Sequence, residues 1–204
     1  MHHEVLDPRQ ETLLPWIKMF KRSFYLVDGT AVALHLGHRR SVDFDLFTSK
    51  PLVKYRIKNA LRTMPFSQAP IFEDVDQLHI LLNEVKTTFF YYPYIIEHPV
   101  RYNSFIEMPS LLSLAAMKAF ALGRRSKWKD YVDLYFILKD HNTIDDISKV
   151  CLEIFPGQYS EKLFREQLSF HKDIDYSEHV EYLGPEINEN EIRAFLIEQA
   201  IKIT

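Results

Sequence analysis

Cysteine is nearly missing from this 204-residue chain: Cys151 stands alone, which excludes an internal disulfide and a Cys-rich metal cluster. One buried thiol suits a reducing cytoplasm. Glycine is scarce, five residues against ten prolines, and neither low-complexity tracts nor internal repeats occur. No apolar run approaches the ~20 residues of a membrane span. The N-terminus lacks the charged-then-apolar pattern of a signal peptide, so the expectation is a cytoplasmic protein with no membrane partner. Acid is missing too from one long stretch, with no Asp or Glu between Asp45 and Glu73.

What is present is enough apolar material, 47% of residues, for one ordinary domain or two small lobes. The net charge of −3 conceals an asymmetry. Residues 1–139 carry 19 Lys/Arg against 14 Asp/Glu, and residues 140–204 carry 6 against 14. Phosphate-bearing ligands would be drawn to the first part. The acidic remainder reads as solvated helical surface or as a dock for a basic partner.

Residues 10–22 space Leu13, Leu14, Ile17 and Phe20 for one helical face, and Phe24 to Val27 reads as a short buried strand. A helix over 30–36 ends at Gly37 in a left-handed cap. Val42 to Phe47 is a strand, and Pro51 falls in the first turn of a helix over 51–62. That helix aligns Lys54, Lys58 and Arg62, either as a solvated face or as a phosphate contact. Leu78–Leu82 and Lys86–Tyr92 read as paired strands around Asn83-Glu84, with tyrosines that fill a core or stack on a base. Helices follow over Ser110–Leu122 (closed by Gly123), 127–138, 145–155, 161–170 and 189–203. The boundary near Met108/Pro109 divides an α/β half, 1–108, from a helical lobe, 109–204.

The most informative run is Tyr25 to Phe47, YLVDGTAVALHLGHRRSVDFDLF. Gly29-Thr30 opens a helix whose free N–H groups and positive dipole end suit a phosphate. Asp43 and Asp45 lie at i and i+2 on a strand, facing the same way. Two such carboxylates repel unless a cation lies between them, and Mg²⁺ favours a few carboxylates with phosphate oxygens. The bland alternative is an exposed pair at a strand end. Downstream, Lys118 sits in the otherwise apolar LAAMKAFAL, where it must pair, snorkel or enter a cleft. Asp130 and Asp133 lie one turn apart on the next helix, either for chemistry or to pair with Arg124, Arg125 or Lys118.

Gly followed by Asp-x-Asp resembles the signature of the DNA polymerase beta-like nucleotidyltransferase superfamily. Residues 6–140, including GHRRS before Asp43, LAAMKAFAL and KDYVDLYFIL, resemble the AbiEii family, the toxin half of type IV toxin–antitoxin pairs. The resemblance implies an α/β (α+β) fold: a mixed sheet with flanking helices, then a helical lobe completing the cleft. It implies transfer of a nucleotidyl group from an NTP to an acceptor, an RNA such as tRNA, and a cognate antitoxin encoded nearby. Asp43 and Asp45 would bind Mg²⁺, Gly29 and Thr30 would hold phosphates, and Lys118 would neutralise their charge. Asp130 would assist acceptor or nucleotide with Asp133 in support, and Arg40 and Ser41 would flank the site. Two departures stand out. Asp28 replaces the first small residue of the turn, and the strand Lys86-Thr87-Thr88-Phe89 lacks the third carboxylate found in many superfamily members. A small-molecule nucleotidyltransferase and a degenerate binder of nucleotide or partner are therefore the alternatives.

Overall fold

A computed structural model describes residues 1–122 and 124–202. The expected helix stop at Gly123 and the last residue of the 189–203 helix lie outside the described residues. α1 (Pro8–Ile17) begins in a capping box between Asp7 and Gln10, with Pro8 in its first turn. β1 (Tyr25–Val27) runs directly into α2 (Asp28–Leu36). Gly37, at φ +69°, closes α2 in the left-handed region, and its N–H reaches the Ala33 carbonyl at 2.8 Å. A Cβ there would meet the His2 ring at 2.4 Å.

β2 (Phe44–Thr48) alternates, with Phe44, Leu46 and Thr48 buried and Asp45 and Phe47 turned to the other face. Asp43 therefore precedes the strand instead of lying inside it. α3 is shorter than its charge pattern suggested, Lys54–Leu61, because residues 51–53 stay extended. Its basic face is partly neutralised: Glu73 takes Lys58 at 2.6 Å and Lys54 at 3.7 Å. Glu73 belongs to β3 (Gln68–Asp74), an exposed strand without apolar alternation and so invisible to pattern reading. β4 (Gln77–Leu82) and β5 (Val85–Tyr91) form the expected hairpin, and Asn83 and Glu84 both take positive φ.

The five strands order as β1-β2-β5-β4-β3, all neighbours antiparallel except the parallel β2–β5 pair. That pair places Asp45 opposite Thr88, and the β4–β5 register places His79 opposite Thr88 as well. The three thus lie side by side on one face of the sheet. A small hairpin, β6 (Val100–Tyr102) with β7 (Ile106–Met108), leads into α4 (Leu111–Leu122), whose start is capped by Ser110 Oγ accepting from Ser113 N–H. α5 (Trp128–Asp140), α6 (Ile144–Ile154), α7 (Glu161–Ser169) and α8 (Glu189–Ile201) follow. α2 packs on both α4 and α5, so the start of α2 faces the helices that carry Lys118 and Asp130. Among the described residues no helix is long and apolar enough to cross a membrane.

Candidate active site

Asp43 and Asp45 stand at one end of β2, beside the start of α2. Gln10 Nε2 donates to the Asp43 carbonyl at 3.2 Å, Thr30 Oγ1 donates to the same oxygen, and Ser41 Oγ lies at hydrogen-bond distance from Thr30 Oγ1. The capping residue of α1 and the first turn of α2 thus fix the backbone that presents the pair. Thr30 is spent on this internal bond and is only 1% exposed, so its side chain positions Asp43 and is not a free phosphate donor.

Neither aspartate has a close cation. Lys86 lies 3.9 Å from Asp43. Burial pushes the Asp43 carboxyl up, against the pull of Lys86. Asp45 is pushed up to about 7 by burial and by the negative charges of Asp28 and Asp43. Thr88, buried on the neighbouring strand opposite Asp45, pulls that carboxyl the other way through its hydroxyl. Among the described residues no group of three or more His, Cys, Asp or Glu side chains converges on one point. Two crowded carboxylates, each pushed up by burial, still fit a hard divalent ion, which commonly takes one or two carboxylates and completes its shell with phosphate and water.

Facing them is an ion-pair cluster between α2, α4 and α5. Lys118, 3% exposed, places its Nζ 2.6 Å from Asp130, 2.8 Å from Asp28 and 2.9 Å from Asp133. Burial alone would pull Lys118 down; the three carboxylates outweigh it and hold the ammonium well above its usual range. Arg125 joins Asp28 at 2.7 Å and Asp130 at 3.1 Å. Asp133, fully buried, accepts Arg39 Nε at 2.7 Å, Arg39 Nη2 at 2.8 Å and His38 Nε2 at 2.7 Å. Burial would raise Asp133, but Arg39 and Lys118 hold it well below the carboxylate range. His38 is pulled down by burial, against the pull of Asp133, and its Nδ1 has no hydrogen-bond partner among the described residues.

Several expectations change with this geometry. Both oxygens of Asp130 are engaged, by Lys118 and by Arg125, which is the ion-pair reading of this residue. Asp133 likewise pairs with Arg39 and Lys118 from within the core, where it is fully buried. Arg40 turns away to Glu181 (2.7 Å) and to the Glu4 and Leu6 carbonyls, and Arg39 is the arginine that enters the site. Arg40→Ala should therefore change any activity by less than about twofold and stability by about 1 kcal/mol or less; steady-state rates and thermal melts check this. Gly29 is needed for close approach: a Cβ would lie 2.9 Å from Arg39 Nη2 and 3.1 Å from Ser41 Oγ. Gly29→Ala should displace the Arg39 guanidinium and cost about 1–3 kcal/mol, read by denaturant melts. Sequence reasoning also missed Glu178. It pairs with Lys127 and, at 3.1 Å, with Lys129, and is pushed down to about 2 by these lysines despite its burial.

The cleft has two adjoining hollows. A polar one of about 70 Å³ lies between Asp43, Asp45, Lys118, Arg125 and Gly29. A larger one of about 460 Å³ extends along the sheet under Phe47, Phe90, Tyr92 and Phe120, with Gln77 and His79 at its wall. Asp28, Asp45, Lys118 and Arg125 line both.

Paired carboxylates at the start of a strand of a mixed sheet, beside a helix start and across from cations of a helical half, describe a nucleotidyltransferase fold. MenT4, a nucleotidyltransferase toxin of Mycobacterium tuberculosis, superimposes with a TM-score of 0.64 at 10% identity over 95% of this chain and 82% of its own. A putative nucleotidyltransferase of Helicobacter pylori gives 0.56 at 16%, covering 94% and 91%. JHP933 of the same species gives 0.55 at 15%, covering 98% and 91%. The family follows from residues 86–200, which match the model of the nucleotidyl transferase AbiEii toxin of type IV toxin–antitoxin systems; the chain belongs to that family. This match extends past residue 140, where the resemblance read from the sequence stops, through the acidic helices. An uncharacterized protein of Aquifex aeolicus, aq_aa25, is 35% identical over 122 residues, 58% of this chain and 59% of the relative. The chain thus matches less than two thirds of that relative's length.

Proposed function

We propose that this chain transfers a nucleotidyl group from an NTP to an RNA acceptor, in a Mg²⁺-dependent reaction, as the toxin of a cytoplasmic toxin–antitoxin pair. The observation that carries the reading is the juxtaposition of Asp43 and Asp45 with Lys118 and Arg125 across a single cleft. The larger hollow, with aromatic walls, suits a nucleoside. The small polar one suits the phosphates. Asp43 and Asp45 would hold Mg²⁺, which offsets phosphate charge and promotes attack by the acceptor hydroxyl. Lys118 and Arg125, fixed by Asp130 and Asp133, meet the charge of the leaving pyrophosphate. Ser41 flanks the phosphates beside Gly29, and the helices after residue 109 form the lobe that completes the cleft.

Incubation with each labelled NTP, Mg²⁺ and total RNA tests this. Label on RNA, lost in Asp43→Asn, is expected, together with relief by Asp43→Asn of growth arrest on expression. Thr88 in place of a third carboxylate favours a second reading, a non-catalytic nucleotide binder. Mg²⁺-dependent NTP binding without label transfer would establish that one.

A further inference from the structure

The residue that departs most from a phosphate-binding turn is the one that now fills it. Asp28 is the first residue of α2, whose N-terminal amides receive no side-chain cap. Its Oδ1 lies 2.8 Å from Lys118 and its Oδ2 2.7 Å from Arg125. One carboxylate therefore bridges the two cations as two oxygens of a phosphate group would. Its backbone takes φ +56°, a region that glycine adopts freely and other residues at a cost. The two ion pairs hold it there.

Charge makes the consequence sharper. Lys118, Arg125 and Arg39 are matched one for one by Asp28, Asp130 and Asp133, so the cluster offers an anion no net positive charge. Only one of the three acids can leave. The side chains of Asp130 and Asp133 are 4% and 0% exposed on a packed helix, whereas Asp28 is 23% exposed at a helix start.

We infer that Asp28 is a built-in phosphate surrogate, which closes the anion subsite at rest and sets the charge a ligand must carry to displace it. The inference rests on the proposed nucleotide reading for the identity of that ligand. A monophosphate competes poorly with a tethered carboxylate. A polyphosphate chain, which can engage Lys118 and Arg125 together with more negative charge than one carboxylate, displaces it.

The test is calorimetric titration of wild type, Asp28→Gly and Asp28→Asn with Mg²⁺–NTP, nucleoside monophosphate and inorganic tripolyphosphate. Both variants keep the Lys118 pairs to Asp130 and Asp133 and the Arg125 pair to Asp130, and either variant suffices for the comparison. If Asp28 holds the cations nine-tenths of the time, its removal tightens tripolyphosphate, NTP and monophosphate binding by up to about tenfold. Unchanged or weaker binding in both variants overturns the surrogate. The outcomes separate the two claims. Tighter tripolyphosphate without NTP binding in any form supports the surrogate and removes the nucleotide reading. Tight NTP binding by wild type that neither variant improves removes the surrogate and leaves the nucleotide reading standing.

Discussion

Asp45→Asn lowers nucleotidyl transfer by on the order of 10²–10³-fold and, in the same protein, raises the melting temperature of the metal-free form. The two effects have one origin. Asp45 sits on a sheet face beside Asp28 and Asp43, and burial with these like charges pushes its carboxyl up to about 7. A carboxyl whose folded value exceeds its unfolded value of 3.8 opposes folding once the pH passes the unfolded value, and the penalty is complete above the folded one. The stabilisation by Asn should thus be near zero around pH 4 and reach about 1 kcal/mol, or about 2–4 °C, by pH 8. Melts of both proteins across that range, without divalent ions, check it. A residue kept for packing would show the reverse, with a loss of stability on substitution.

Asp133→Ala has the opposite signature and the largest effect on the fold. The substitution strands the guanidinium of Arg39, 1% exposed, whose remaining partner is the Arg40 carbonyl. Removing one member of such a buried pair costs about 3–5 kcal/mol, which for a chain of this length lowers the melting temperature by about 10 °C. Here the carboxyl is held well below its unfolded value of 3.8. Its contribution is therefore full above the unfolded value and fades as the pH falls towards the depressed one. The gap between wild type and Asp133→Ala should narrow below about pH 4. Adding Arg39→Met to Asp133→Ala should recover part of the loss, because an unpaired buried charge is replaced by apolar surface. Guanidinium or thermal melts of the three variants measure the coupling directly.

The mutual repulsion of Asp43 and Asp45 could be read from the chain because two carboxylates one residue apart are a local fact, although the strand begins only after Asp43. Lys118 was equally legible, since a charge inside LAAMKAFAL must find a partner. Two of its partners, Asp130 and Asp133, were among the pairings the chain offered; the third, Asp28, could not be read, because only the packing of α2 against α4 brings it in. Arg40 was taken for its neighbour Arg39 for the same reason: adjacent residues leave a loop in opposite directions, and sequence spacing does not say which turns inward. β3 escaped because an exposed edge strand has no apolar alternation to show. Glu178 escaped because its contact with Lys127 and Lys129 closes a span of some fifty residues. The hairpin at Asn83-Glu84 and the cap at Gly37 were legible because left-handed turns are written in one or two residues.

The most direct test of the account is the position of the transferred phosphorus. Wild-type protein is incubated with Mg²⁺, RNA and an NTP labelled either at the α or at the γ phosphate. Cations at the pyrophosphate end of the cleft and a carboxylate pair at the attacking end predict that only the α label reaches the RNA, with pyrophosphate released and Asp45→Asn inactive. Transfer of the γ label, or α labelling undiminished in Asp45→Asn, would contradict it.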